Sequence, residues 1–248
     1  MFSQTTVVVT GAGRGIGREM ALGFARQGAS VLVHYGHARR EAEDVVRQIE
    51  ALGGHALLAQ ADVSVAADVV RLVDEARTKL GPIDVWINNA GASANSAETT
   101  GLGAEERFER VMAVDVIGAW NCCRAAAEYM RERGCMLNIG WDHALDGAPG
   151  LVSQLYAVSK GAVIAMSRGL AREFAPRVRV NCIAPGWVEN DWARSRSESF
   201  RKKMEQRIPL GRWGTASDIV AAALFLASPS AAFITGQVLV VDGGEVMR

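Results

Sequence analysis

Cysteine is scarce and carries no pattern. Cys122, Cys123, Cys135 and Cys182 form no Cys-x-x-Cys pair and have no histidine at metal-ligand spacing, which argues against a thiolate metal site, a redox pair or a disulfide frame. They read as reduced thiols filling helix and strand positions, and no metal is expected. An excess of one charge is also missing. Lys plus Arg and Asp plus Glu both number 27, so no long-range field draws nucleic acid or anionic lipid. Long apolar runs are lacking as well. The stretch "IVAAALFLA" is too short to span a bilayer, and "MFSQTTVVVTGAG" has no basic leader with a long apolar core, so the expectation is a cytoplasmic protein with no nucleic-acid or membrane partner. The six prolines build no linker, and no repeat or low-complexity tract interrupts the chain.

What is present is a globular composition: 248 residues, 49% hydrophobic and 22% charged, enough for a sizeable core. Runs rich in apolar and β-branched residues at 5–9, 31–35, 56–60, 83–87, 136–139, 178–182 and 238–241 alternate with segments of helical period. Val7-Val8-Val9 and Val31-Leu32-Val33 are continuously apolar, as strands covered on both faces must be. The pattern predicts an α/β fold: a single-domain, Rossmann-type doubly wound parallel sheet of about seven strands in three layers, spanning 1–248. The polar stretch Glu189–Arg207 looks inserted.

The first strand runs into Gly11, Gly15 and Gly17 and then into a helix with Met20, Ala21, Phe24 and Ala25 on one stripe. Glycines there let backbone approach a pyrophosphate at a helix N-terminus, although glycine turns also serve as plain chain reversals. Further on, Tyr156 and Lys160 stand at i and i+4 in a helical segment, so both project from one face. A phenol beside an ammonium ionises more easily, which suits acid/base work; a solvated helix face is the other reading.

"TGAGRGIG" at 10–17, Asp62-Val63, "NNAG" at 88–91, "YAVSK" at 156–160, "NCIAPGW" at 181–187 and "FITGQVLVVDGG" at 233–244 together resemble the classical short-chain dehydrogenase/reductase family, and within it the 3-oxoacyl-carrier-protein-reductase-like members. The resemblance covers nearly the whole chain. It implies a nicotinamide cofactor and a small-molecule substrate, with Tyr156 moving the substrate proton and Lys160 also holding the nicotinamide ribose. It also implies that Gly11, Arg14, Gly15, Ile16 and Gly17 bind the cofactor. Asp62 and Val63 would bracket the adenine, and Asn89, Ala90 and Gly91 would line the adenosine ribose. Pro185, Gly186 and Val188 would border the nicotinamide.

Tyr35 stands where NAD-using relatives place Asp, and Arg14, His37, Arg39 and Arg40 are near enough to meet a 2′-phosphate, so NADP is favoured over NAD. Arg39 and Arg40 could equally begin a solvated helix.

Several positions depart from the family. Asp115 replaces an asparagine that supports a water-mediated proton path to the lysine. "PGWVEN" puts Glu189 and Asn190 where a threonine is usual. The carbonyl-binding serine, about thirteen residues before the tyrosine in relatives, is missing, and Trp141, Asp142 and His143 occupy its neighbourhood. Ser153 and Ser159 lie too near the helix to replace it. Asp142 is the preferred substitute: neutral, it would donate to a carbonyl oxygen; charged, it would suit a protonated imine. His143 comes next and Trp141 forms a pocket wall; otherwise all three only shape the pocket.

A substrate lid is expected around 188–208, with Trp187 and Trp192 as an apolar wall. Its Arg/Lys excess would suit an acidic substrate or carrier, or simply a solvated helix. The functional expectation is an NADP-dependent oxidoreductase of a carbonyl or imine. A cofactor-binding sensor and an inactive partner subunit are the alternatives. By resemblance, helices around 104–133 and 154–175 pair across two-fold axes, and "FITGQVLVVDGG" joins a second interface, giving a homo-oligomer, tetramer or dimer.

Overall fold

The structure is a computed structural model that describes residues 2–92, 99 and 101–247. Seven strands, β1 (Thr6–Val9), β2 (Ser30–Tyr35), β3 (Ala56–Gln60), β4 (Ile83–Asn88), β5 (Met130–Ile139), β6 (Val178–Pro185) and β7 (Val238–Val241), form one sheet. The order is β3-β2-β1-β4-β5-β6-β7 and every pairing is parallel, as the alternation of strand and helix predicts. The helices are α1 (Gly15–Arg26), α2 (Arg39–Ala51), α3 (Ala66–Leu80), α4 (Ala104–Val111), α5 (Ala119–Tyr129), α6 (His143–Asp146), α7 (Leu151–Phe174), α8 (Asp191–Arg194), α9 (Glu198–Glu205) and α10 (Ala216–Ala227).

The period-two geometry of a strand sends neighbouring side chains to opposite faces. Val7 and Val9 accordingly pack with Met20, Phe24, Val45 and Ile219 from α1, α2 and α10. Val8 enters the opposite core with Leu72, Trp86 and Cys122. All four cysteines are buried and unpaired, as expected of space-filling thiols. Among the described residues no helix is long and apolar enough to cross a membrane.

The structure departs from the sequence pattern at the start of β5 and within the helix before it. β5 begins at Met130, and its pairing with β4 slips between Ile83 and Val85, because residues 131–133 are exposed and Arg133 adopts a positive φ of 65°. The helix expected over 104–133 therefore ends at Tyr129. It is also broken by a π-helical turn at Met112–Gly118, the kind of widened turn that tends to mark functional sites.

Chain order reverses between β1 and β4, which are direct neighbours although β2 and β3 lie between them in sequence. In doubly wound sheets the crevice outside the carboxyl ends at such a point is the ligand site.

Candidate active site

The two loops at the switch point are held together by one threonine and one asparagine. Thr10 Oγ1 accepts the N–H groups of Asn89 and Ala90, both at 3.0 Å, and donates to Ile87 O at 3.2 Å. Asn89 Nδ2 donates back to Thr10 O and Gly11 O, both at 3.0 Å. Gly11 takes φ +63°, and a Cβ on Gly17 would lie 2.3 Å from Asn89 Nδ2 and from Gly11 O. These glycines leave the backbone open where a side chain would fill the cradle.

His34, which the spacing did not single out, supports the same loop from β2. Its Nδ1 accepts the Gly11 N–H at 3.1 Å, and its Nε2 lies 3.0 Å from Ala61 O. An acceptor at Nδ1 and a carbonyl at Nε2 select the neutral tautomer protonated on Nε2. Burial lowers its pKa from 6.5 to about 4, against the opposing pull of the Ala61 carbonyl and Asp62.

The cleft along the carboxyl edge has three connected parts. A part of about 1290 Å³ lies over the glycine loop and is lined by Gly11, Arg14, Gly15, Arg40, Asn89 and Trp192, among others. A part of about 620 Å³ adjoins it through Gly11, Arg14, Ala90 and Gly91 and reaches Tyr35, Asp62 and Val63. A part of about 520 Å³ adjoins it through Asn190 and Trp192 and is lined by Ile16, Trp141, Tyr156, Pro185, Gly186, Trp187 and Val188. The structure thus brings most of the expected cofactor positions to the lining of one edge; Gly17 and Lys160 are buried just behind it, and Arg39 is turned away. Arg39 is turned outward on α2, 71% exposed and paired with Glu43 at 2.8 Å, and it lines none of the three parts. Arg40, one position and about 100° further round the helix, lines the cleft instead. Arg110 reaches it from α4 and lies 3.6 Å from Asp62.

Tyr156 and Lys160 share one face of α7, with the ammonium 5.3 Å from the phenol ring centre. Asp115 meets Lys160 directly rather than through water: Oδ2 lies 3.0 Å from Nζ, and both side chains are buried. Asp115 Oδ1 also accepts the Ala92 N–H at 2.7 Å, and a Cβ on Gly91 would come within 3.2 Å of both oxygens. The π-helical turn thus ties the loop after β4 to the lysine. Burial by itself would lower the Lys160 pKa; the Asp115 charge and hydrogen bond, with Tyr156, raise it above the usual ammonium value, so the lysine is a fixed cation. For Tyr156 burial comes first and raises the pKa, while Lys160 lowers it and Asp115 and Asp142 raise it further. The expected downward pull of Lys160 is present, and burial outweighs it.

The Trp141-Asp142-His143 cluster divides. Trp141 lines the 520 Å³ cavity and packs on Tyr156, with ring centres 5.1 Å apart. Asp142, expected to replace the serine, does not line it. It is fully buried at the start of α6, where Oδ1 accepts the His143 N–H at 2.6 Å. Burial lifts its carboxyl to about 7, opposed by that N–H and reinforced by Glu245 and Asp242. His143 faces away from the cavity toward Glu245, with Nε2 3.6 Å from Oε1. Ser153, set aside on spacing, does line the cavity, one turn before Tyr156.

The segment over the cavity has its own small core. Ala193, Met204 and Trp213 pack with Trp187, Trp192 and Phe200, and Gly214 exchanges backbone hydrogen bonds with Trp187 and Glu189. Its charges face one another: Arg201 pairs with Glu189, Arg194 with Asp191 and Lys202 with Glu198. Among the described residues lining the 520 Å³ cavity, none carries a formal charge.

The family model described as enoyl-(acyl carrier protein) reductase matches residues 11–245. The chain belongs to the short-chain dehydrogenase/reductase family. It is 35% identical over 245 residues to the 3-oxoacyl-[acyl-carrier-protein] reductase FabG of Staphylococcus aureus, covering 98% of both chains. It is 37% identical over 251 residues to 3beta-hydroxysteroid dehydrogenase 1 of Eggerthella lenta, covering 98% of this chain and 94% of that one. A short-chain dehydrogenase from Burkholderia cenocepacia, solved in complex with NADP, superposes with a TM-score of 0.88 at 32% identity over 98% of both chains.

Proposed function

We propose that the protein is an NADP(H)-dependent oxidoreductase acting on uncharged carbonyl compounds, or the corresponding alcohols, with a flat apolar body. The observation that carries this is the setting of Tyr156. It opens onto a charge-free cavity of about 520 Å³ walled by Trp141, Trp187, Trp192, Phe200 and Trp213. Such walls favour planar apolar surface and disfavour a carboxylate or phosphate.

NADPH, when bound, supplies the hydride. Gly11 and Gly15, with Gly17 packed behind them, would hold the pyrophosphate, Arg14 and Arg40 would offer cations to the 2′-phosphate, and Tyr35 leaves out the carboxylate that would repel it. Tyr156 donates its hydroxyl proton to the carbonyl oxygen as negative charge builds there. Lys160, held charged by Asp115, stabilises the phenolate left behind. Ser153, on the same face of α7, supplies the second hydroxyl donor to the carbonyl oxygen, and Trp141 holds the tyrosine ring from one side.

The expected result is NADPH binding at least about 10-fold tighter than NADH by fluorescence titration, with turnover of neutral cyclic ketones. Tyr156→Phe lowers kcat by about 100-fold or more and leaves coenzyme binding intact. Coenzyme binding without turnover across ketones, imines and pterins would instead support a sensor. We also propose a homo-oligomer, because α5 and α7 expose Trp120, Leu151 and Val158, while α10 exposes Phe225 and the chain after it exposes Phe233.

A further inference from the structure

The turn after β5 and the chain after β7 meet in a buried polar cluster that the proposed chemistry leaves unused. Asp142 is fully buried, His143 is 8% exposed, and the Glu245 side chain is 4% exposed. One ligand atom from each of these residues lies within 4.8 Å of the other two. His143 Nδ1 is 3.8 Å from Asp142 Oδ1, and its Nε2 is 3.6 Å from Glu245 Oε1; both separations are too long for hydrogen bonds. Asp142 Oδ2, His143 Nδ1 and Glu245 Oε2 are buried without a hydrogen-bond partner.

The charge balance is also uneven. Asp242 stands beside Asp142 as a third carboxylate, although its own oxygens accept the N–H groups of Gly244 and Val246 at 2.8 and 2.6 Å. Arg207 approaches Glu245 Oε1 at 3.0 Å from a half-exposed position. One guanidinium at the rim leaves two carboxylates and an imidazole nitrogen converging on unfilled lone pairs, and orphaned buried groups of this kind are costly.

An imidazole with two carboxylates is a donor set for a borderline divalent cation. Bonds of about 2.0–2.2 Å set ligand atoms roughly 3–4 Å apart, so the cluster closes on an ion with sub-ångström to ångström shifts of its side chains. We propose that Asp142, His143 and Glu245 bind a divalent transition cation of the Zn²⁺ type. The ion clamps the segment after β7 to the turn that carries Trp141. None of the three ligands lines the substrate cavity, so the ion sits behind its wall. The His143 ring, 5.2 Å from Trp141 and 6.2 Å from Trp187, passes the constraint to both indoles. The ligands are invisible as a motif because two are adjacent and the third lies roughly a hundred residues later.

The test uses the full chain stripped with a chelator and titrated with Co²⁺, then Zn²⁺. The expected result is one Co²⁺ per chain, with visible absorption, quenched tryptophan fluorescence, displacement by Zn²⁺ and a raised Tm. Glu245→Gln and His143→Gln each weaken binding at least about 10-fold while far-UV circular dichroism is unchanged. Absence of saturable binding up to millimolar Co²⁺ or Zn²⁺ overturns the proposal, since protons would then satisfy the cluster. Wild-type affinity retained in both variants overturns it too, because the ion would be adventitious and elsewhere. Should one variant fail to fold, the other carries the comparison.

Discussion

At neutral pH the imidazole of His34 is uncharged, and the Gly11 N–H rests on it. In the unfolded chain the same group takes a proton near its ordinary value of 6.5, whereas in the folded chain it resists until about 4. Stability is therefore full above about pH 6.5, falls as pH drops toward 4, and levels off below that, a loss of roughly 3 kcal/mol. Urea unfolding across this range should show the slope in the wild type and a flatter one in His34→Asn, whose Oδ1 keeps an acceptor for Gly11. Asp115 makes a different demand. Asp115→Ala would leave Lys160 as an unpaired buried charge and should cost about 3–5 kcal/mol, while Asp115→Asn keeps a hydrogen-bond acceptor and should cost less by the same measurement. The reactive pair was readable because i, i+4 spacing is local. The serine's replacement was not: whether Trp141 or Asp142 faces the cavity depends on α6 starting at that point and taking Asp142 as its cap. Arg39 and Arg40 differ by one residue, hence by a rotation that no composition argument resolves.

At the scale of elements, the glycine loop and the π-helical turn do related work. Gly17 has Asn89 Nδ2 and Gly11 O only 2.3 Å from where a Cβ would sit, so Gly17→Ala must push the two loops apart. Loss of measurable NADPH binding, together with a lowered Tm, is the expected outcome by fluorescence titration and thermal melting. The lid predicts another kind of defect. Trp213 is buried against Ala193 and Met204 and donates through Nε1 to Arg201 O at 3.2 Å. Trp213→Ala should raise KM for the carbonyl substrate about 10-fold or more while leaving coenzyme affinity unchanged, a split visible in steady-state kinetics. Strand positions were read well where β-branched residues cluster. They were misjudged at the start of β5, where the polar run at 131–133 reads as helix end, and at the widened turn around Asp115, since one extra residue per turn leaves no mark on a hydrophobic pattern.

For the whole molecule, equal numbers of acidic and basic residues leave little net charge to keep copies apart near neutrality. Trp120 at 47%, Val158 at 51% and Phe233 fully in solvent add apolar area that a second copy would cover. Sedimentation velocity should accordingly show a species larger than one chain, and the Tm should fall on dilution; a dilution-independent monomer would remove the proposal. The layered sheet was readable as a class from the alternation of elements, while the meeting of residues far apart in the chain was not. The junction of β1 and β4 is the clearest case. Thr10 and Asn89, 79 positions apart, build the floor of the cofactor cleft, so that floor does not exist until the chain has crossed from one half of the sheet to the other. A half-folded chain therefore has nothing to offer the nucleotide, and nucleotide bound at 100 times its Kd would favour the finished fold by about 2.7 kcal/mol. The coenzyme would thereby act as a stabiliser of the finished chain as well as a reactant.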